Sequence, residues 1–209
     1  MDRSVVVLLL RHGLTEANVS KRYVGWSNPP LCQKGMECLF KTKSKIPHYD
    51  TVISSDLARC TETANIYFPN QTIHYWKDLR ELNFGEWENH TFEDLQSDPL
   101  YKEWVANPEI TRPPGGETFA DFRHRMNGVI DRLYQFMIEK EVFHVAIVSH
   151  GGVLRYWLTQ FHPEQKSFWD WKVRHGAGYE FVWKNLDSFR RGERCISLKE
   201  VPSTENGNG

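Results

Sequence analysis

Residues 5–10 read VVVLLL, an unbroken apolar hexapeptide that stops on Arg11-His12-Gly13. An alternating pattern would mark a strand wet on one face. A run without a polar position marks a strand buried on both faces, which requires a layer above it and a layer below. The run is far shorter than the ~20 residues that span a bilayer. Asp2 and Arg3 before it, and the polar tripeptide after it, do not make a secretory leader, so it is expected to be the first strand of a cytoplasmic protein.

Similar signals recur along the chain. Strands are expected at 51–54, 72–76, 142–149, 179–183 and 195–198, with helices at 34–45, 57–67 and 152–160. The clearest helix opens at Thr118, where Gly115-Gly116 breaks the chain and Asp121 completes a capping-box pattern. Phe119, Phe122, Met126, Val129, Ile130, Leu133 and Met137 then form one apolar stripe and are assigned to the core. Strands alternating with helices specify an α/β domain with a mostly parallel central sheet and helices on both faces. Residues 84–114, aromatic and rich in breaks, are expected to be a helical insertion over the C-terminal edge of that sheet. Residues 1–201 are read as a single domain, and 202–209, PSTENGNG, as a flexible tail.

With 26 Lys and Arg against 27 Asp and Glu, the formal charge is −1, which gives no case for a nucleic-acid or membrane-surface partner. Cys32, Cys38, Cys60 and Cys195 include no CxxC pair and are expected to be free thiols, those near a site small and buried.

Ligands of an open α/β sheet bind where the loops leave the carboxyl ends of the strands. The expected strands are followed by Arg11-His12-Gly13, by Ser55, Asp56 and Arg59, by Leu79-Arg80-Glu81, and by Ser149-His150-Gly151-Gly152. His12, His150, Arg11, Arg59 and Glu81 thus reach one edge. If Asp56 caps the next helix, Arg59 lies in its first turn, where the macrodipole disfavours a cation by roughly 0.3–1 kcal/mol; a cation kept there calls for an anion. Gly13 and Gly151 allow backbone N–H groups to approach that anion closely. The combination points to a phosphate pocket. Arg11 and Arg59 suit phosphoryl oxygens, and neighbouring cations keep His12 neutral and nucleophilic. His150 is assigned to a phosphate oxygen and Glu81 to the proton that the leaving alcohol needs.

These residues also carry a family resemblance. Arg11-His12-Gly13-Leu14-Thr15-Glu16-Ala17-Asn18 resembles the RHG-x-T-x-x-N opening of the histidine phosphatase superfamily, the phosphoglycerate mutase-like family. Gly25-Trp26, Ser54 to Arg59, Leu79 to Glu88, Pro114 to Phe119 and Ser149 to Gly152 follow in family order. The resemblance implies that His12 is the phosphorylated nucleophile and Glu81 the proton donor. It makes Arg11, Asn18, Arg59, His150 and the N–H of Gly151 the phosphate contacts, with no metal and no cofactor. Arg174-His175-Gly176 repeats the tripeptide without an apolar strand before it, so His175 is expected in a loop at the pocket mouth.

Phosphatases of this family pass the phosphoryl group to water, whereas mutases pass it to another hydroxyl of the substrate. Gly85-Glu86-Trp87-Glu88 and Pro114-Gly115-Gly116-Glu117 resemble the small phosphatase branch, which includes alpha-ribazole phosphatases and broad-specificity bacterial phosphatases. Cofactor-dependent phosphoglycerate mutases are usually longer and shield the site with a C-terminal tail, and nothing long follows Val201. The expectation is a metal-independent phosphomonoesterase, monomeric or homodimeric, acting on a small organic phosphate. The alternatives are a mutase and a non-enzymatic phospho-ligand module, the latter needing neither His12 nor Glu81. Val24 stands where many such phosphatases carry glutamine, Asn89 replaces a usual glycine, and Cys32 replaces a usual serine or threonine. Trp26, Tyr101, Trp104 and His175 are candidates for an apolar wall against the leaving group.

Overall fold

The computed structural model describes residues 3–202. Six strands form one sheet: β1 (Val5–Arg11), β2 (Thr51–Ser54), β3 (Ile73–Tyr75), β4 (His144–Ser149), β5 (Gly178–Trp183) and β6 (Ser197–Val201), in the order β3-β2-β4-β1-β5-β6. The first four are parallel; β5 runs antiparallel to β1, and β6 antiparallel to β5.

The apolar hexapeptide occupies the middle of this sheet, between β4 and β5. Its side chains alternate between two cores. Val5, Val7 and Leu9 face one, with Val145, Ile147 and Ile53, while Leu8 and Leu10 face the other, with Ala146, Val148 and Val52. Over the first face pack α6 (Phe119–Lys140), α7 (Gly151–Phe161) and α8 (Leu186–Arg190), through residues such as Phe122, Leu133, Trp157 and Phe189. The second face is covered by α2 (Gln33–Thr42) and α3 (Ala58–Tyr67), through Leu39, Cys60, Ala64 and Tyr67. Burial of both strand faces is therefore what the absence of polar positions in 5–10 reflects.

The helix opened by Thr118 carries the full reciprocal cap: Thr118 Oγ1 accepts from the Asp121 N–H, and Asp121 accepts from the Thr118 N–H. Its predicted stripe is buried, Ile130 only in part. Other boundaries move by one to three residues. The helix expected to Lys45 is α2 followed by a 3-10 turn at Lys43–Lys45, and the last strand lies at Ser197–Val201 rather than 195–198. The short helix α1 (Glu16–Val19) and α8 have no counterpart in the predicted elements. The insertion contains a 3-10 turn (Gly85–Trp87) and two short helices, α4 (Phe92–Leu95) and α5 (Pro99–Ala106). Of the tail, only Pro202 lies within the described residues. No helix among them is long and apolar enough to cross a membrane.

Candidate active site

Strand register assembles the site. Arg11 pairs with Ser149 and Ser54 with Val148, so β1, β4 and β2 end side by side, and His12, His150 and Ser55 leave one edge together. The His12 N–H donates to the Ser149 carbonyl at 2.9 Å. Ser149 Oγ donates to the Leu79 carbonyl at 2.7 Å, which ties the segment carrying Glu81 to the end of β4.

His12 is buried, and its ring lies 5.2 Å from that of His150 and 5.3 Å from that of His175, centre to centre. Nδ1 sits 2.6 Å from the Gly13 carbonyl, an atom that can only accept, so the proton of the neutral ring is on Nδ1 and the lone pair on Nε2. Burial, then the cations Arg59 and Arg11, hold the His12 pKa well below its ordinary 6.5. His150 is depressed in the same way, by burial and then Arg59. Burial first, then Arg11, lowers His175 to about 3. Three uncharged imidazoles therefore stand side by side among guanidinium groups.

The arginines are fixed by carbonyls and not by acids. Arg59, fully buried, donates Nη1 to the Ser27 carbonyl (2.8 Å) and Nη2 to the Gly25 carbonyl (2.7 Å). Arg11 donates Nη1 to the Val173 carbonyl at 2.8 Å. Nε of each is buried without a partner among the described residues. Two orphaned cationic donors beside a bare imidazole nitrogen are a costly arrangement unless an oxyanion completes it. Burial lowers the Arg11 pKa to about 10, which still leaves the guanidinium charged at neutral pH.

Asp56 does not cap α3. The N-cap is Leu57, without a side-chain bond, because both Asp56 oxygens are held by Arg80 at 2.6 and 2.7 Å. Arg59 nevertheless occupies the first turn of α3, as expected. Asn18 shares a reciprocal cap with Thr15, its Oδ1 accepting from the Thr15 N–H and hydroxyl, while its Nδ2 makes no hydrogen bond among the described residues. Gly151 opens α7 against Arg11: a Cβ there would lie 3.2 Å from the guanidinium carbon.

Glu81 is gripped at both oxygens. The Leu82 N–H donates to Oε1 at 2.9 Å and the Gly152 N–H to Oε2 at 2.8 Å. Residues outside the expected site build its support. Arg125 donates to the backbone carbonyls of Asp78, Arg80 and Glu81 and is paired with Glu117 at 2.7 Å, a largely buried ion pair. Glu88 accepts from the N–H groups of Trp26 and Ser27, steadying the turn whose carbonyls hold Arg59. The Gly152-x-x-Arg155 spacing after His150, one helical turn, is the signal that could have brought Gly152 and Arg155 into the expected site.

Glu81 and Gly152 also border a cavity of about 470 Å³ whose other walls include Tyr23, Phe84, Tyr101, Trp104, Phe119 and Phe168. Tyr101 and Trp104 thus lie where a wall was expected, and Phe119 and Phe122, read as core, serve both core and cavity. Trp26 does not line it. Its indole N–H donates to the Glu81 carbonyl at 2.9 Å, and its ring faces Lys77, Arg80 and Arg125, which turns it away from the cavity and makes it a support of the Glu81 segment. His175 lies beside His12, with Nδ1 3.3 Å from the His12 carbonyl, and also does not line the cavity.

The departures from the family pattern fit locally. Asn89 takes φ 65°, a left-handed conformation that asparagine tolerates best after glycine. Cys32 caps α2 through a 3.4 Å contact from the Gly35 N–H, as a hydroxyl would. Cys60 packs on His150, Sγ to Nε2 3.4 Å, and burial pushes its thiol up to about 12, which makes it inert as a nucleophile.

The family model of the histidine phosphatase superfamily (branch 1) matches residues 7–187. The adenosylcobalamin/alpha-ribazole phosphatase of Salmonella typhimurium is 31% identical over 186 residues, covering 86% of this chain and 88% of that protein. A protein of Yersinia pestis named as a probable phosphoglycerate mutase is 30% identical over 154 residues, 71% of this chain and 70% of its own. The solved alpha-ribazole phosphatase of Shigella flexneri superposes with a TM-score of 0.76 at 30% identity, over 84% of this chain and 89% of that one. The chain belongs to branch 1 of the histidine phosphatase superfamily.

Proposed function

We propose that the chain hydrolyses organic phosphomonoesters through a phosphohistidine at His12. The observation that carries this reading is the buried neutral imidazole, with Nδ1 committed to the Gly13 carbonyl and Nε2 free, between two guanidinium groups with unpartnered Nε donors. In the first step Nε2 bonds to phosphorus, the ester P–O bond breaks, and Glu81 gives its proton to the departing alkoxide. In the second, Glu81 takes a proton from water as its oxygen attacks phosphorus, and the N–P bond breaks to release phosphate. Arg11, Arg59 and His150, with the Asn18 amide and the Gly151 N–H, hold the phosphoryl oxygens and stabilise their charge in flight.

Glu81 lines the aromatic cavity, and its charge acts on Arg11 and Arg59; this supports placing the leaving group in that cavity. Its volume lies in the range of sites for drug-sized ligands, roughly 300–1,000 Å³. Its aromatic lining suits an aryl or other bulky apolar alcohol better than phosphoglycerate. Water, not a second substrate hydroxyl, is then the acceptor. The test is a rapid-mixing experiment with an aryl phosphate in the presence of EDTA, followed by product analysis with 3-phosphoglycerate. The expected result is a burst of phenol, steady release of inorganic phosphate, and better turnover of the aryl ester. Isomerisation of 3-phosphoglycerate without phosphate release would establish the mutase instead, and binding without turnover of any ester would establish the non-enzymatic module.

A further inference from the structure

Arg155 is a cation without an assigned purpose. It lies on α7, three residues after Gly152 and four after Gly151, and therefore on the helix face that carries the Glu81 contact. It lines the aromatic cavity beside Glu81 and Gly152. Its Nε donates to the Trp171 carbonyl at 3.0 Å, which fixes the plane of the guanidinium and leaves the outer edge, Nη1 and Nη2, without a hydrogen bond among the described residues. The arginines around the insertion are otherwise neutralised: Arg80 by Asp56, Arg112 by Asp121, Arg123 by Glu109 and Arg125 by Glu117. Arg155 has no carboxylate partner among the described residues, and its charge works against that of Arg11. A guanidinium held flat at an apolar cavity, near a second cation and without an acid, is completed by an anion carried in on the ligand.

We propose that Arg155 is a specificity-determining residue that pairs end-on with a carboxylate borne by the leaving group, so the preferred substrates are phosphate esters of carboxylated aryl alcohols. This rests on the hydrolase reading above and on the leaving group occupying the cavity. The aromatic walls take the ring and the outer fork of Arg155 takes the carboxylate, one helical turn from the Gly152 contact with Glu81.

The experiment compares kcat/KM for phenyl phosphate, 3-carboxyphenyl phosphate and 4-carboxyphenyl phosphate in the wild type, Arg155→Met and Arg155→Lys. In the wild type one carboxylated ester is expected to exceed phenyl phosphate by about tenfold or more, the effect of one charge-assisted pair. In Arg155→Met that ratio collapses toward the value set by leaving-group acidity alone, chiefly through KM. Arg155→Lys, which keeps the charge but not the fork, recovers part of it. Folding is checked by the thermal midpoint, and phosphoenzyme formation by quenching with phenyl phosphate. Equal losses for all three esters in Arg155→Met would show that the residue serves the phosphoryl group or the fold and would overturn the assignment. An unchanged ratio would overturn it as well. If the wild type hydrolyses none of the esters, the hydrolase reading fails and this assignment with it; if it hydrolyses all three without preference, only this assignment fails.

Discussion

Gly152→Ala displaces Glu81, the proposed proton donor, without replacing it. A Cβ at that position would lie 2.2 Å from Glu81 Oε1, more than 1 Å inside ordinary contact between carbon and oxygen. The atom in the way is the end of a flexible side chain, so the carboxyl moves and the backbone does not. Alanine suits a helical position better than glycine, by roughly 0.5–1 kcal/mol, and the fold should hold. The displacement breaks the 2.8 Å bond from the Gly152 N–H to Oε2 and moves the acid about 1 Å from the leaving oxygen. General acid catalysis is worth about 10²–10⁴-fold. A misplacement of that size should cost about 10²-fold, ~2.7 kcal/mol, on esters whose alkoxide needs a proton. A nitrophenyl ester, whose leaving group departs as a stable anion, should lose only a few-fold. The assay is kcat/KM across a series of alkyl and aryl phosphates plotted against leaving-group acidity. Gly152→Ala should steepen the plot. A uniform loss across the series would refute Glu81 as the group that protonates the alcohol, and an unchanged plot would refute the geometry of the contact.

Other consequences follow from the same contacts. His12→Ala should reduce turnover by about 10⁴-fold or more, and His175→Ala by about tenfold, since the proposed phosphoryl bond is to Nε2 of His12 and His175 only packs on that ring and donates to the His12 carbonyl; the reverse ranking in steady-state assays would contradict the site. Inorganic phosphate at about 100 times its Kd should stabilise the wild type by about 2.7 kcal/mol in urea unfolding, and should fail to stabilise Arg59→Met. His12 and His150 have folded-state pKa values well below 6.5, so only the unfolded chain gains their protons just below that pH. Their contribution to stability is complete above about 6.5 and is lost as the pH falls, by up to ~2.7 kcal/mol per pH unit for the two rings together. Urea midpoints that stay level between pH 7 and pH 5 would contradict this. Glu117→Gln leaves Arg125 unpaired and largely buried, which should cost on the order of 3 kcal/mol of stability; the loss is read from chemical unfolding.

The parts of the molecule legible in the sequence are those whose physics is local. Residues 5–10 announce a doubly buried strand because every position is apolar, and α6 announces its start because Thr118 and Asp121 cap each other within one turn. Among the described residues the edge strand β6 pairs only with β5, and its register follows from tertiary pairing of Val201 with Gly178, which no local pattern encodes. The helix α8 had a visible signal in Asn185, whose side chain accepts from the Ser188 N–H, but only five residues follow in which a period could show. At the site, strand ends placed His12, Arg59, Glu81 and His150 on one edge, since topology brings successive strand termini together. The partners of those residues were illegible, because they depend on which side chain wins a competition. Asp56 could cap α3 or pair with Arg80, and the bidentate pair is the stronger interaction. Trp26 could face substrate or the cations behind Glu81, and three cations decide it.

The identity of the phosphorylated nitrogen tests the account most directly. The protein is mixed with an excess of aryl phosphate, quenched in alkali within milliseconds, and digested, and the phosphopeptide is located by mass spectrometry and its isomer by phosphorus NMR. The contact between Nδ1 and the Gly13 carbonyl predicts an acid-labile phosphoryl group on Nε2 of His12. A phosphoryl group on Nδ1, on His150 or His175, or in an acid-stable linkage would contradict it.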